Sequence, residues 1–319
     1  RLRKEGLSLW PKGKKCAIGL SHDVDFLEKY DILKLPISKN QKKPIGKLRF
    51  LSCQIFNKFK CSIEGNKNNY WLFEQVMDYE QKLGFKSTFF FTAINQSERY
   101  SSQYDTFYDI TILRNKKLLN NIVARGFELG LHASYNAFLK NNYLIREKDK
   151  IQKITNCSIK GLRHHFWHLG NNEEKTLALH EIAKFRYDSS LAFNDGIGFR
   201  RNVALAYFPW SEKSNRPLKV RQLPVFCMDG NLFYQSVELE TALERLKELT
   251  GTIRMLNGLG VIDWHAHTSF PYNQDYFKWG LCYLNFLNFL ANNSDIWVTN
   301  LGEINKWLDD RMKLLNNNY

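Results

Sequence analysis

Acidic and imidazole side chains lie close together after the first apolar run of the sequence. Residues 16–21 read CAIGLS, and His22, Asp23 and Asp25 follow within four positions. Charged groups are costly at the end of a buried element, so their presence there indicates that the charge is used. One carboxylate of such a pair can bind a divalent cation, and the other can accept a proton from water.

Similar polar clusters follow three later apolar runs. They read HASYN at 132–136, RHHF at 163–166 and DWHAH at 263–267. Seven of the eight histidines, all but His180, lie in the four clusters or, for His168, just beyond one. Because the carboxyl ends of parallel strands meet at one edge of a sheet, we expect the clusters to converge on one site. Aspartate and histidine without cysteine suit Zn²⁺ with open positions for water and substrate.

Alternating segments of strand and helix character must position these residues. Seven β-rich runs predict strands at 16–21, 87–93, 127–132, 158–164, 218–226, 259–265 and 295–300. Helical periodicity predicts helices at 70–83, 115–126, 144–155, 173–185, 236–256, 276–292 and 301–315. This alternation favours an α/β protein with a distorted parallel (β/α)7-type barrel. A doubly wound open sheet is the alternative, but no phosphate-binding glycine motif follows the first strand.

Charge is distributed unevenly along the chain. The sequence has 319 residues and a net charge of +14, and between Leu27 and Lys67 there are ten Lys or Arg against three Asp or Glu. We expect residues 1–319 to form one catalytic domain with a basic insertion at about 27–69. The insertion could be a solvated loop, or it could contact an anionic partner such as a phospholipid surface or a phosphate-bearing substrate.

Other function classes lack their signals in the sequence. No zinc finger, helix-turn-helix or RNP-like motif is present, which argues against a nucleic-acid partner. The six cysteines contain no CxxC pair, which argues against a thiolate zinc site. No apolar run reaches the length of about 18 residues that a membrane span needs, and the first residues lack the apolar core of a signal peptide. These features favour a cytoplasmic protein.

The motifs resemble those of the polysaccharide deacetylases of the NodB-homology type, carbohydrate esterase family 4, in particular the subset with an (S/T)-H-D-V-D first motif. The likeness extends over most of the chain, through 10-WPKGKKCAIGLSHDVD-25, 86-KSTFFF-91, 128-ELGLHASYN-136, 161-GLRHHF-166, 187-YDSSLAFNDGIGFR-200, 223-LPVFCMDG-230 and 264-WH-265. The resemblance implies the distorted barrel, one catalytic divalent metal ion such as Zn²⁺, and hydrolysis of an acetamide or acetate ester on a sugar. The roles that it implies are general base for Asp23, metal ligand for Asp25 and His132, orientation of the base for Arg163, an oxyanion site at the backbone near Phe166, and general acid for His265.

The sequence departs from the family pattern at two positions. Asn136 stands where the usual H-x-x-x-H motif has its second histidine, and an amide oxygen is a weak ligand for zinc. His165 is our candidate for the third ligand, with His164 pointing to the opposite face if the strand continues. His267 follows His265 by two residues, so in strand geometry either ring could be the acid.

Five residues are candidates for contacts with the substrate. Aromatic side chains near the predicted mouth could stack on sugar faces or could belong to the core. The candidates are Tyr135, Asn136, Phe166, Trp264 and His267.

The sequence therefore predicts a metal-dependent hydrolase. We expect it to remove an acetyl group, N-acetyl in preference to O-acetyl, from a sugar in surface polysaccharide or glycolipid metabolism, with a nucleotide- or lipid-linked saccharide as one form of the substrate. One alternative is an inactive carbohydrate-binding member of the same fold, which the missing second histidine favours. The presence together of Asp23, Asp25, Arg163 and His265 disfavours it. Another alternative is an amidohydrolase of a small non-sugar amide.

Overall fold

The structure is a computed structural model and describes residues 8–29, 70–234 and 237–316. The strands are β1 (Cys16–Val24), β2 (Thr88–Phe91), β3 (Glu128–Ala133), β4 (Gly161–His164), β5 (Tyr187–Asp188), β6 (Trp210–Ser211), β7 (Arg216–Pro217), β8 (Arg221–Gln222), β9 (Val225–Met228), β10 (Leu259–Asp263) and β11 (Ile296–Thr299). The α-helices are α1 (Phe73–Lys82), α2 (Leu113–Ala124), α3 (Asn141–Thr155), α4 (Glu173–Ile182), α5 (Asp229–Leu232), α6 (Leu239–Met255), α7 (Phe277–Ala291) and α8 (Leu301–Asn316). Short 3₁₀ helices cover Pro11–Gly13, Ala137–Leu139, His165–Trp167, Arg200–Asn202, Ala266–Thr268 and Gln274–Tyr276.

One curled sheet of nine strands forms the centre of the protein, with helices around it. Its strands run in the order β8-β5-β4-β3-β2-β1-β10-β9, and every pair in this order is parallel. Strand β11 pairs with Cys16–Gly19 of β1, and β2 pairs with Ser21–Val24 on the same edge. A short antiparallel pair, β6 and β7, lies outside this sheet.

The two edge strands of the sheet, β8 and β9, follow one another directly in the chain. Leu223 donates its backbone N–H to the Asp188 carbonyl at 2.9 Å, whereas β9 pairs with β10 at the other edge. One stretch of chain therefore contacts both edges and completes the distorted barrel. The predicted fold class is confirmed.

Alternation along the strands divides the apolar side chains between two layers. In β2, Phe89 and Phe91 pack in the larger core with residues of α1 and α7, whereas Phe90 packs in a second cluster with Leu301 and Ile304 of α8. Adjacent side chains of a strand point to opposite faces, so Phe90 points into the barrel. All nine residues of β1 are buried, as expected for a central parallel strand that is covered on both faces.

The predicted helices and strands agree with the structure in most places. The prediction of one strand at 218–226 is wrong, because this stretch contains β8 and the start of β9, which lie at opposite edges of the sheet. The sequence patterns also did not indicate the two-residue strand β5, the β6–β7 pair or the short helix α5. The predicted basic insertion lies almost wholly outside the described residues. Among the helices within those residues, none is long and apolar enough to cross a membrane.

Candidate metal centre and active site

The carboxyl ends of β1, β3 and β4 bring three potential metal ligands together. Ligand atoms of Asp25, His132 and His165 all lie within 4.8 Å of one another, and within 8–29, 70–234 and 237–316 this is the one group of its kind. The Nε2 atoms of His132 and His165 lie 3.2 and 3.7 Å from Asp25 Oδ1. One carboxylate and two imidazoles match a common ligand set of catalytic zinc, which leaves a position for water or substrate.

The buried polar atoms of this group also fit a cation. His132 Nδ1 donates its proton to the Arg163 carbonyl at 3.1 Å, so Nε2, beside Asp25 Oδ1, is the nitrogen that would bind a cation. Both His132 Nε2 and Asp25 Oδ1 are buried, and no hydrogen-bond partner for either occurs in the part of the chain that the structure describes. Buried polar atoms without a partner are costly, and a bound cation would satisfy both.

Asp23 lies beside the ligand group and faces a different partner. Its Oδ1 atom accepts a hydrogen bond from Arg163 Nη1 at 2.8 Å, and its Oδ2 atom lies 3.8 Å from His132 Nε2. Burial disfavours the charged form, but the positive charges of Arg163 and His132 outweigh burial and lower the pKa of Asp23. The carboxylate is thus ionised at neutral pH and able to accept a proton.

Hydrogen bonds fix the Arg163 guanidinium in the barrel interior. Its Nε donates to the Ser189 carbonyl at 3.0 Å, Nη2 donates to Ser21 Oγ at 2.8 Å, and Nη1 lies 2.8 Å from Asp263 Oδ1 as well as from Asp23. Burial raises the pKa of Asp263 well above its usual value, so the negative charge opposite Arg163 resides on Asp23.

His265 approaches the ligand group from the end of β10. Its Nδ1 lies 2.7 Å from Asp229 Oδ1, its backbone N–H donates to Asp229 Oδ2 at 2.9 Å, and its Nε2 lies 3.4 Å from Asp25 Oδ2. Burial disfavours a charged ring, but the Asp229 carboxylate outweighs it and raises the pKa of His265 well above the usual value. A protonated ring that faces the cluster is suited to act as an acid.

The sequence left open the roles of His164 and His267, and both rings face away from the ligand group. His164 Nε2 lies 2.9 Å from His180 Nε2 in the core, where burial lowers the pKa of both rings and that of His180 to about 3. The His267 ring packs among Phe26, Tyr70 and Tyr276. His165 therefore faces the ligand group, as expected of the candidate third ligand. Of the two candidates for the acid, His265 is better placed than His267.

Among the predicted substrate contacts, Tyr135 and Phe166 lie near the site and Asn136 bonds elsewhere. Phe166 is 55% exposed and follows His165, with its ring 6.2 Å from the Tyr135 ring. Its φ of 54° is strained for a residue with a side chain, and such strain is common near functional sites. The Asn136 side-chain amide donates to the Tyr100 carbonyl at 3.0 Å.

The predicted role of Trp264 as a substrate contact is wrong. Its side chain has no exposed surface, and its ring stacks on Tyr283 at 5.1 Å and contacts the edge of Phe233 at 6.3 Å. Trp264 lies between Asp263 and His265, which both point to the barrel interior, so the alternation of a strand directs it outward into the core.

The sequence analysis gave no role to three carboxylates around the site. Asp263 belongs to the predicted 263–267 cluster, and Asp229 likewise lies at the carboxyl end of a strand, so the same signal could have found it. Asp105 lies in the connection between β2 and α2, and no strand or motif marks it in the sequence.

Comparison with solved structures shows that this fold also occurs in proteins named as polysaccharide deacetylases and in one named as an allantoinase. A protein of Mycobacterium smegmatis named as a polysaccharide deacetylase has a TM-score of 0.60 at 16% identity, and the match covers 95% of this chain and 93% of that one. A second protein so named, from Pseudomonas aeruginosa PAO1, has a TM-score of 0.59 at 12% identity, covering 93% of this chain and 92% of that one. The Puue allantoinase has a TM-score of 0.60 at 11% identity, covering 93% and 91%. No family model matches the chain, and no curated protein does.

Proposed function

We propose that this protein is a metal-dependent hydrolase that removes an acetyl group, N-acetyl in preference to O-acetyl, from a sugar of a surface polysaccharide or glycolipid. The observation that carries the proposal is the cluster of Asp25, His132 and His165 beside a buried Asp23 that Arg163 holds. Two of the solved structures with this fold are named as polysaccharide deacetylases, which supports a carbohydrate substrate.

Asp25, His132 and His165 would hold the divalent cation, and their donor set suits Zn²⁺. When bound, the cation supplies Lewis acidity toward a carbonyl and a neighbouring water. Asp23 accepts the proton of the attacking water, because Arg163 keeps its carboxylate ionised while Oδ2 faces the ligand group. The fixed guanidinium also prevents the carboxylate from rotating away from the site.

His265 donates a proton to the departing amine or alcohol. Asp229 accepts the Nδ1 proton, so the second proton of a charged ring is at Nε2, which faces Asp25. The exposed ring of Phe166 offers an apolar face on which a sugar can stack, and Tyr135, whose ring stacks on His168, is a candidate for contact beside it. Asn136 and His267 are secondary candidates for contacts with the substrate.

Release of acetate tests the proposed function. The zinc-loaded protein is compared on N-acetylated saccharides, O-acetylated saccharides and a cyclic amide. We expect acetate from the N-acetylated sugars, and a loss of about 10²- to 10⁴-fold in kcat in an Asp23→Asn variant, as is typical for removal of a general base. Asp195→Asn, which changes an exposed carboxylate, is the matched control and should keep full activity.

Two results would overturn this proposal. A fully metal-loaded protein that releases acetate from no saccharide would support the inactive, carbohydrate-binding alternative. Turnover of the cyclic amide alone would support an amidohydrolase, the activity named for one of the structures with this fold.

A further inference from the structure

Each histidine that directs Nε2 at Asp25 has an oxygen atom facing its other ring nitrogen. For His132 this atom is the Arg163 carbonyl at 3.1 Å, and for His265 it is an Asp229 carboxylate oxygen at 2.7 Å. For His165 it is Asp105 Oδ1, which lies 4.0 Å from Nδ1. In a ligand histidine such a partner selects the tautomer with Nδ1 protonated, which leaves the Nε2 lone pair of His132 and His165 for a cation. His265 lies outside this ligand group, and its charged ring carries a proton on both nitrogens.

Asp105 is itself held rigidly at the edge of the site. The residue is 9% exposed, and its Oδ2 accepts the Ser102 backbone N–H at 2.7 Å. Its Oδ1, the atom that faces His165, also accepts the backbone N–H of Tyr135 at 2.7 Å. Asp105 thereby connects the loop after β2 to the loop after β3 that follows His132.

We propose that Asp105 is a positioning residue that orients His165 as the third ligand and so compensates for Asn136 at the position of the second motif histidine. The inference rests on the metal site of the proposed function. The distance of 4.0 Å is about 1 Å longer than a hydrogen bond, and catalytic hydrogen bonds are often long when no ligand is bound.

His165 does not lie at the position of the second motif histidine, and this explains why the Asp105 carboxylate is needed to orient it. Asn136 donates its side-chain amide N–H to the Tyr100 carbonyl at 3.0 Å, whereas His165 lies with Asp25 and His132 in the ligand group. His165 lies in a 3₁₀ turn whose next residue has a φ of 54°, outside the regular strand that positions His132. A ligand on such a turn lacks the support of a strand, so an anchoring carboxylate contributes more to its orientation.

Zinc affinity, measured by competition with a chromophoric chelator, tests the inference in a cycle of four proteins. They are the natural chain, Asp105→Asn, His165→Ala and the double variant. We expect Asp105→Asn to weaken zinc binding by about 10- to 100-fold, the usual effect of removing a partner of a ligand. In the His165→Ala background the same change should have no further effect. Co²⁺ absorption spectra should differ between the natural chain and Asp105→Asn.

The cycle separates orientation of His165 from a general structural role of Asp105. An equal loss in both backgrounds would show that Asp105 only holds the Ser102 and Tyr135 loops, and it would overturn the inference. Unchanged zinc affinity in Asp105→Asn would overturn it too, without affecting the proposed function. If the natural chain binds no zinc, the proposed function fails as well.

A second measurement serves if Asp105→Asn does not fold. The ¹⁵N chemical shifts of His165 in the natural chain report which ring nitrogen carries the proton. We expect a protonated Nδ1 and an unprotonated Nε2. The opposite tautomer would overturn the inference.

Discussion

Asp25 is the residue at which the charges of the site meet. Nε2 atoms of three imidazoles face its two oxygens, at 3.2 Å for His132, 3.7 Å for His165 and 3.4 Å for His265. Burial disfavours a charged carboxylate, yet the three rings outweigh burial and hold the pKa of Asp25 well below its usual value. The carboxylate is therefore ionised in a buried position, which is the state that a cation requires of its ligand.

Replacement of a ligand should remove the bound metal. Asp25→Ala and His132→Ala each delete one of the three proposed protein ligands. We expect elemental analysis to find roughly one zinc per natural chain and well below that in each variant. Asp195→Ala, on an exposed loop, is the control and should retain the metal. Unchanged stoichiometric zinc in both ligand variants would refute the assignment.

Successive side chains of a strand point to opposite faces of the sheet, and this alternation explains which site residues could be predicted from the sequence. Arg163 points into the barrel, His164 points outward to His180, and His165 points inward again. The same rule places Trp264 in the core, which the motif resemblance obscured. It fails at His267, because the chain turns into a 3₁₀ helix at Ala266–Thr268 and the period of two ends there.

At the scale of elements, helix α3 anchors the loop that follows His132. Glu147 of this helix is buried and accepts two hydrogen bonds from Ser134, from the backbone N–H at 3.0 Å and from Oγ at 2.6 Å. Burial raises the pKa of Glu147 to about 7, because the hydrogen bonds only partly offset the loss of hydration. The loop position thus depends on a carboxyl group that carries a proton under mildly acidic conditions.

Stability should therefore fall as pH rises through the range in which Glu147 titrates. In the unfolded chain its pKa is near 4.5, and in the folded protein it is about 7. Between these values only the folded state keeps the proton, so the free energy of unfolding decreases with rising pH. Glu147→Gln should remove this contribution, on the order of 3 kcal/mol across the range, because the amide does not titrate.

Urea unfolding at several pH values gives the free energy of unfolding of the natural chain and of Glu147→Gln. The difference between the two proteins at each pH measures the contribution of Glu147 titration. Other titrating groups contribute equally to both proteins and cancel. The glutamine can keep both contacts with Ser134, since a hydroxyl can donate or accept. Glu248→Gln, an exposed residue of α6, is the control and should keep the natural dependence. Parallel curves for Glu147→Gln and the natural chain would contradict the prediction.

The length of a helix or strand determined whether it could be predicted from the sequence. Helices such as α3, with 15 residues, contain four turns of amphipathic pattern and were predicted. Strand β5 has two residues, too few to show any period, although it contributes the pairing that extends the sheet from β4 to β8. The contact of one segment with both sheet edges is a tertiary property, and no local pattern encodes it.

At the scale of the whole molecule, the excess of positive charge lies next to the site in the chain. Ten basic and three acidic residues occur between Leu27 and Lys67, beginning two positions after Asp25. β1 therefore leads directly from the site into the basic segment. We propose that this segment attracts a phosphate-bearing carrier of the sugar or an anionic membrane.

Neutralising part of the basic segment should weaken binding to anionic vesicles. Each basic residue near such a surface contributes about 1 kcal/mol, so we expect four substitutions to lower the affinity by at least about 10- to 100-fold at low salt. The four residues to be changed to Gln are Lys42, Lys43, Lys47 and Arg49. Co-sedimentation with phosphatidylglycerol vesicles at about 50 and about 500 mM salt measures the effect, which screening should abolish at the higher value.

A second quadruple variant with the same net charge distinguishes the segment from the overall charge. It changes four exposed lysines elsewhere to Gln, namely Lys116, Lys117, Lys213 and Lys219. Equal losses in the two variants would mean that only net charge matters, and binding that is insensitive to salt would exclude an electrostatic contact. Acetate release from a small, uncharged saccharide should be the same in both variants, because such a substrate needs the metal centre and gains nothing from the basic segment.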